Sequence, residues 1–171
     1  MKRSILLMLM ICTLASCSRK SEHDLLKEGA DAYGQKNYTL AIEKYNEVVD
    51  RYPSTVSAES ALYHLAAIYS NDLHESRHAV GVYQQFYTMF PSSPEAPTAL
   101  FLTGFLYNNE LHIIDSARIV YELFLQKYPE HSLAGSAKFE LATLGRDPGE
   151  FLQSQTASSE TDHKETKSSK Q

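Results

Sequence analysis

Three aromatic–proline pairs, Tyr52-Pro53, Phe90-Pro91 and Tyr128-Pro129, recur at one constant interval, and that recurrence constrains the fold more than any other feature of the chain. The flanks repeat in the same register. Upstream of each proline lie Ala41, Tyr45 and Val48, then Ala79, Tyr83 and Phe86, then Ala117, Tyr121 and Phe124. Each set falls at i, i+4 and i+7, along one face of a helix. Downstream lie Ala58, Ala61, Leu62, Leu65 and Tyr69, matched by Ala96, Ala99, Leu100, Thr103 and Tyr107, and more loosely by Ala134, Ala137, Lys138, Leu141 and Gly145. Every repeat therefore holds two helices, and the second ends near its aromatic–proline pair. Proline pushes the residue before it out of the α region and cannot donate to the helical ladder. Ser93-Pro94 is expected to supply the N-cap and first-turn proline of the helix that follows.

Small residues and aromatics in helix pairs that end in proline resemble the tetratricopeptide repeat, with longer turns stretching the period beyond the common one of about 34 residues. The expectation is an all-α chain, an α-solenoid of about three tetratricopeptide-like helix pairs plus a C-terminal capping helix. The first repeat begins near Asp24, with Gly29, Ala30 and Tyr33 in its first helix. Its register is open by one residue, because the turn at Gln35 to Asn37 is shorter than its later counterparts. The second runs from about Ser57 to Pro91 and the third from about Glu95 to Pro129. Gly135 to Leu144 would cover the open end of the stack.

The N-terminus carries an address. Lys2 and Arg3 precede an apolar run from Ile5 to Ala15, about half the roughly 20 residues a membrane-spanning helix needs, which is the pattern of a signal peptide. Leu14-Ala15-Ser16-Cys17 resembles the lipobox of bacterial lipoproteins. That resemblance implies cleavage before Cys17, acylation of its thiol and, with Ser18 rather than Asp next, sorting to the periplasmic face of the outer membrane. The expected organisation is a signal peptide over 1–16, a lipidated cysteine and short linker over 17–23, the repeat domain over 24–147 and a polar, disordered tail over 148–171. Between Ser18 and Glu22 an extended linker spans about 17 Å at about 3.4 Å per residue, which keeps the first helix near the membrane.

Composition removes several function classes. The net charge is −5, and without Lys2 and Arg3 there are 14 basic residues against 21 acidic ones, which disfavours nucleic-acid binding and a polybasic membrane contact. The two cysteines, Cys12 and Cys17, exclude a disulfide scaffold or a Cys-rich zinc module. No phosphate loop, glycine fingerprint or Ser/His/Asp set is present. Glu43, Glu47, Asp50 and Glu59 are expected on wet helix faces. The chain is expected to be no enzyme and to need no cofactor or metal.

One motif opposes that expectation. His74-Glu75-Ser76-Arg77-His78 has the H-E-x-x-H spacing that in zinc proteases places two imidazoles one helical turn apart with a glutamate as general base. Gln84 stands where a third histidine would be needed. The repeat register sets the segment in an inter-helix turn.

For binding, Tyr63, Phe101 and Phe139 recur at the same interval as the aromatic–proline pairs, about 100° round the helix from Leu62 and Leu100. With Ala67, Asn71, Phe105, Asn108 and Asn109 they form a candidate groove for an extended or helical peptide. The competing reading is that the three rings only pack between neighbouring helices. The lack of a Lys/Asn cluster argues against a carboxylate clamp.

A lipobox followed at once by repeats that read Ala-Ile-x-x-Tyr (Ala41 to Tyr45) and Tyr-Pro-Ser (Tyr52 to Ser54) resembles the BamD-like outer-membrane assembly lipoproteins over about residues 22 to 145. The resemblance implies protein or peptide partners: unfolded outer-membrane barrel proteins received by the N-terminal repeats, and a barrel insertase docked by later ones. That family has five repeats where three are visible here. The repeats also resemble the CpoB-like cell-division coordinators, which usually carry a coiled coil and no lipobox.

Overall fold

The computed structural model describes residues 19–146; the expected signal peptide over 1–16, Cys17 and the tail expected over 148–171 lie outside the described residues. Seven α-helices follow in chain order: α1 (Glu22–Gly34), α2 (Tyr38–Arg51), α3 (Val56–Ala67), α4 (Ser76–Met89), α5 (Ala96–Phe105), α6 (Ile114–Lys127) and α7 (Ala134–Thr143), with no strand among the described residues. The fold is all-α, made of consecutive helix pairs of the tetratricopeptide type. The chain divides into two compact units, Met1–Ala61 and Leu62–Gln171.

In the first unit α1 packs on α2 around buried Leu25, Ala32, Ala41, Tyr45 and Val48. Ser21 starts α1, its side chain accepting from the Asp24 N–H at 3.1 Å, and Asn37 starts α2, accepting from the Leu40 N–H at 3.2 Å. In the second unit α4 packs on α5, α5 on α6 and α6 on α7. Leu100, Phe101, Ala117, Tyr121, Phe124, Ala134 and Ala137 form a core there.

The aromatic–proline pairs end their helices as expected, and in one geometry. Tyr52, Phe90 and Tyr128 leave the α region at φ −133°, −124° and −131°, and each N–H still bonds a carbonyl one helical turn back, on Val48, Phe86 and Phe124. The turn that follows also repeats, with Thr55, Ser93 and His131 donating their N–H to the carbonyls of Tyr52, Phe90 and Tyr128. Those same three side chains then accept from a backbone N–H at the start of the next helix: Thr55 from Ala58, Ser93 from Glu95, His131 from Leu133. This corrects the expectation for Ser93-Pro94. Ser93 holds the turn, α5 starts at Ala96, and Pro97, not Pro94, is the first-turn proline.

The turn within each pair resolves the one-residue offset of the first repeat. Lys36, His74 and His112 occupy the left-handed region at φ 59°, 54° and 54°, and they stand at equivalent positions of the three repeats. Helix α1 reaches Lys36 by ordinary hydrogen bonds, Gln35 N–H to Asp31 and Ala32. In the later repeats α3 and α5 run into single π-helical turns, Ile68–Asp72 and Leu106–Glu110, closed by Leu73 N–H to Ile68 O at 3.0 Å and Leu111 N–H to Leu106 O at 2.9 Å. A π-turn accommodates one extra residue without breaking a helix. The packing shows where it went: a Cβ built on Gly29 would meet Tyr45 and one built on Gly104 would meet Tyr121, and the second pair is one position further apart in the chain. The two segments read Ile-Tyr-Ser-Asn-Asp-Leu-His (Ile68 to His74) and Leu-Tyr-Asn-Asn-Glu-Leu-His (Leu106 to His112), the closest internal match in these turns.

Candidate peptide-binding cleft

The end of α3, the start of α4, the end of α5 and both π-turns enclose a cleft of about 380 Å³ in the second unit. Part of the lining is apolar: Tyr63, Ala67, Leu102, Phe105 and Leu106. The rest is polar, from Ser70, Asn71, His74, Ser76 and Glu110, together with Tyr83. Tyr63 is 48% exposed. Tyr83 is buried, which pushes its phenol above the ordinary value of 10, and a hydrogen bond with Ser70 opposes that rise. It therefore stays a neutral hydroxyl at any physiological pH. Aromatic and aliphatic groups interspersed with amide, hydroxyl and carboxylate groups suit a segment that offers both apolar side chains and backbone polar groups.

The eight residues expected to form one groove do not come together. Tyr63, Ala67, Asn71 and Phe105 line this cleft. Phe101 does not: it is 8% exposed, with its ring centroid 5.7 Å from that of Tyr121 and 5.9 Å from that of Phe124. For this ring the packing interpretation holds, because a core built from Tyr121 and Phe124 draws it inward. Asn108 and Asn109 donate to Glu140 Oε2 at 3.0 and 3.4 Å, and they line a second, smaller cleft of about 250 Å³ with His112, Ile114, Gly145 and Arg146. Phe139, on α7, is 36% exposed and lies in neither lining. Tyr121, buried beside Glu140, has its phenol pKa pushed well up, first by burial and then by that carboxylate.

The family of outer membrane lipoproteins named YfiO matches residues 18–144. The chain belongs to this family. Its place is thus the outer membrane, as a lipoprotein, and no described helix is long and apolar enough to cross a membrane. No curated protein matches the chain.

The geometry also decides the H-E-x-x-H segment of this lipoprotein. His74 sits before α4 in the left-handed conformation, so His74 and His78 do not share a helical face. His78 Nδ1 bonds Glu75 Oε2 at 2.8 Å, and its ring stacks on Tyr69 with centroids 5.1 Å apart. The glutamate that would polarise a water is taken up locally. Gln84 donates to the Tyr107 hydroxyl at 3.3 Å. Among the described residues no group of three or more His, Cys, Asp or Glu side chains could hold a metal ion. His74 instead contributes to the cleft.

Sequence reasoning missed Ser70, His74, Ser76, Tyr83, Leu102, Leu106 and Glu110 as lining residues. A signal for most of them was present in the matched segments Ile68 to His74 and Leu106 to His112. An internal repeat that falls outside both helical faces marks a shared turn, and shared turns of neighbouring repeats flank a common space.

Proposed function

We propose that the chain is a lipid-anchored adaptor of the BamD-like type in outer-membrane protein assembly, acylated at Cys17, that holds an extended segment of an unfolded client in the cleft of its second unit. The observation that carries this reading is the mixed lining of the cleft, Tyr63, Leu102 and Phe105 together with Ser70, Asn71 and Glu110. A client strand destined for a barrel alternates apolar and polar side chains, so it can serve the apolar and the polar groups of such a lining at once. Membership of an outer-membrane lipoprotein family supports the setting. The protein acts here as a scaffold, with no chemistry of its own.

Photo-reactive residues placed in cells at Tyr63 and at Phe105 test the proposal, with Ile119, exposed on α6 outside the cleft lining, as control. Expected are crosslinks from the cleft positions to outer-membrane barrel proteins or their assembly machinery, absent at Ile119 and lost when Cys17→Ser removes the anchor. Crosslinks only to division or wall-synthesis proteins would replace the assembly role with a CpoB-like one.

A further inference from the structure

The start of α1 is fastened to the end of α2 by contacts that the helix pair itself does not need. The Tyr52 hydroxyl donates to the Lys20 carbonyl at 2.8 Å, and Arg51 Nη2 donates to the same oxygen at 3.2 Å. Arg51 lies over the Tyr52 ring, 5.4 Å from its centroid, and is braced by Glu47 through Nη1. The Lys20 ammonium pairs with Glu28 at 2.6 Å, and Ser21 caps α1 immediately afterwards. Arg19, Asp50, Arg51 and Tyr52 line the hollow at this corner. The slack that an extended linker through Glu22 would allow is therefore gone: the chain is held from Lys20 onward, and the steps from Cys17 to Lys20 reach about 10 Å at most.

We propose that this clamp orients the first helix pair on the bilayer. The corner formed by Arg19, Lys20, Arg51 and Tyr52 rests among the phospholipid headgroups of the leaflet that holds the lipid on Cys17, and the turn from Gly34 to Tyr38 points away from it. The inference rests on acylation of Cys17. Lys20 and Arg51 already have carboxylate partners, so short reach and two converging hydrogen bonds hold the corner down, and charge is secondary. Exposed Arg19 and the ring of Tyr52, apolar with a polar tip, suit a headgroup layer. The far end of α2 is a helix of 14 residues away, about 21 Å at about 1.5 Å per residue.

The chain contains no tryptophan, so one introduced indole reports without background. Full-length lipidated Ser54→Trp, in the exposed turn beside Tyr52, and Leu40→Trp, near the start of α2, are placed in phosphatidylethanolamine–phosphatidylglycerol vesicles whose chains are brominated close to the headgroups. The Ser54→Trp protein is expected to lose most of its emission and the Leu40→Trp protein almost none. Adding Tyr52→Phe and Arg51→Gln, with helical circular dichroism confirming the fold, should make the two positions alike; Tyr52→Phe alone should narrow the difference if the double variant unfolds. Equal quenching at both sites in protein that still floats with the vesicles overturns the orientation. So does a difference that survives loss of the clamp. Flotation of Cys17→Ser as complete as that of the parent overturns the anchor itself, a separate result.

Discussion

The glycines that face the tyrosines of the repeat register carry the tightest constraint in the chain. A Cβ on Gly104 would stand 2.9 Å from Tyr121 Cε1, and one on Gly29 would stand 2.7 Å from Tyr45 Cε1. Both rings are buried, so neither can swing away. Gly104→Ala and Gly29→Ala should each cost about 1–3 kcal/mol as overpacking, read as a lower urea midpoint. Gly81, inside α4 with open space where its Cβ would be, should respond in the opposite direction. Gly81→Ala should stabilise by about 0.5–1 kcal/mol through lower backbone entropy in the unfolded chain. Titration adds a second residue-scale prediction. Partial desolvation by its neighbours holds His64, an exposed residue of α3, below the ordinary histidine value of 6.5. The unfolded chain therefore takes up a proton before the folded one as pH falls, so stability is full above about 6.5 and declines below it. Replacing His64 with Gln should flatten the change in urea midpoint between neutral and mildly acidic pH. At still lower pH Glu47, held below its usual value by its hydrogen bond to Arg51, should lose its contribution as it protonates.

At the scale of elements the π-turns are insertions, and the first pair shows the form without one. The extra residue lies between Gly104 and His112, where Asn109 is exposed and bonds Phe105 O and Glu140. Deleting Asn109 should convert Leu106–Glu110 to ordinary helix, bring the glycine–tyrosine spacing of that repeat to the value between Gly29 and Tyr45, and leave the helical circular dichroism intact. The loss in thermal midpoint should be smaller than that of Gly104→Ala. An outcome in which the deletion unfolds the chain would show that the π-turn is required and not merely tolerated. The left-handed residues allow a companion test. An L-residue in that region costs about 1–2 kcal/mol, which glycine avoids, so His112→Gly should raise the thermal midpoint modestly once the entropy cost of glycine is subtracted. His74 has the same backbone but lines the cleft, so His74→Gly should stabilise similarly and alter client binding as well.

For the whole molecule the proposed anchor on Cys17 would decide where any binding takes place. Cys17→Ser should move the protein from the membrane fraction to the soluble fraction without changing its helical content, because the described helices begin at Glu22 and none is able to span a bilayer. The helix pairs and the helix ends were legible in the sequence, since each rests on local chemistry: apolar groups at helical spacing, and proline's missing donor. Lys36, His74 and His112 were not, because histidine and lysine give no hint of a left-handed backbone that glycine or asparagine would announce. The fate of the aromatic ladder was also beyond the sequence. Tyr63, Phe101 and Phe139 share a register, yet Tyr63 lines a cleft, Phe101 packs against Tyr121 and Phe124, and Phe139 lines neither hollow. Which way a ring faces depends on what the neighbouring helices offer it, and Phe101 is offered Tyr121 and Phe124. Period and punctuation were local and therefore readable; the partition of equivalent positions between core and cleft was a property of packing, decided only when the helices met.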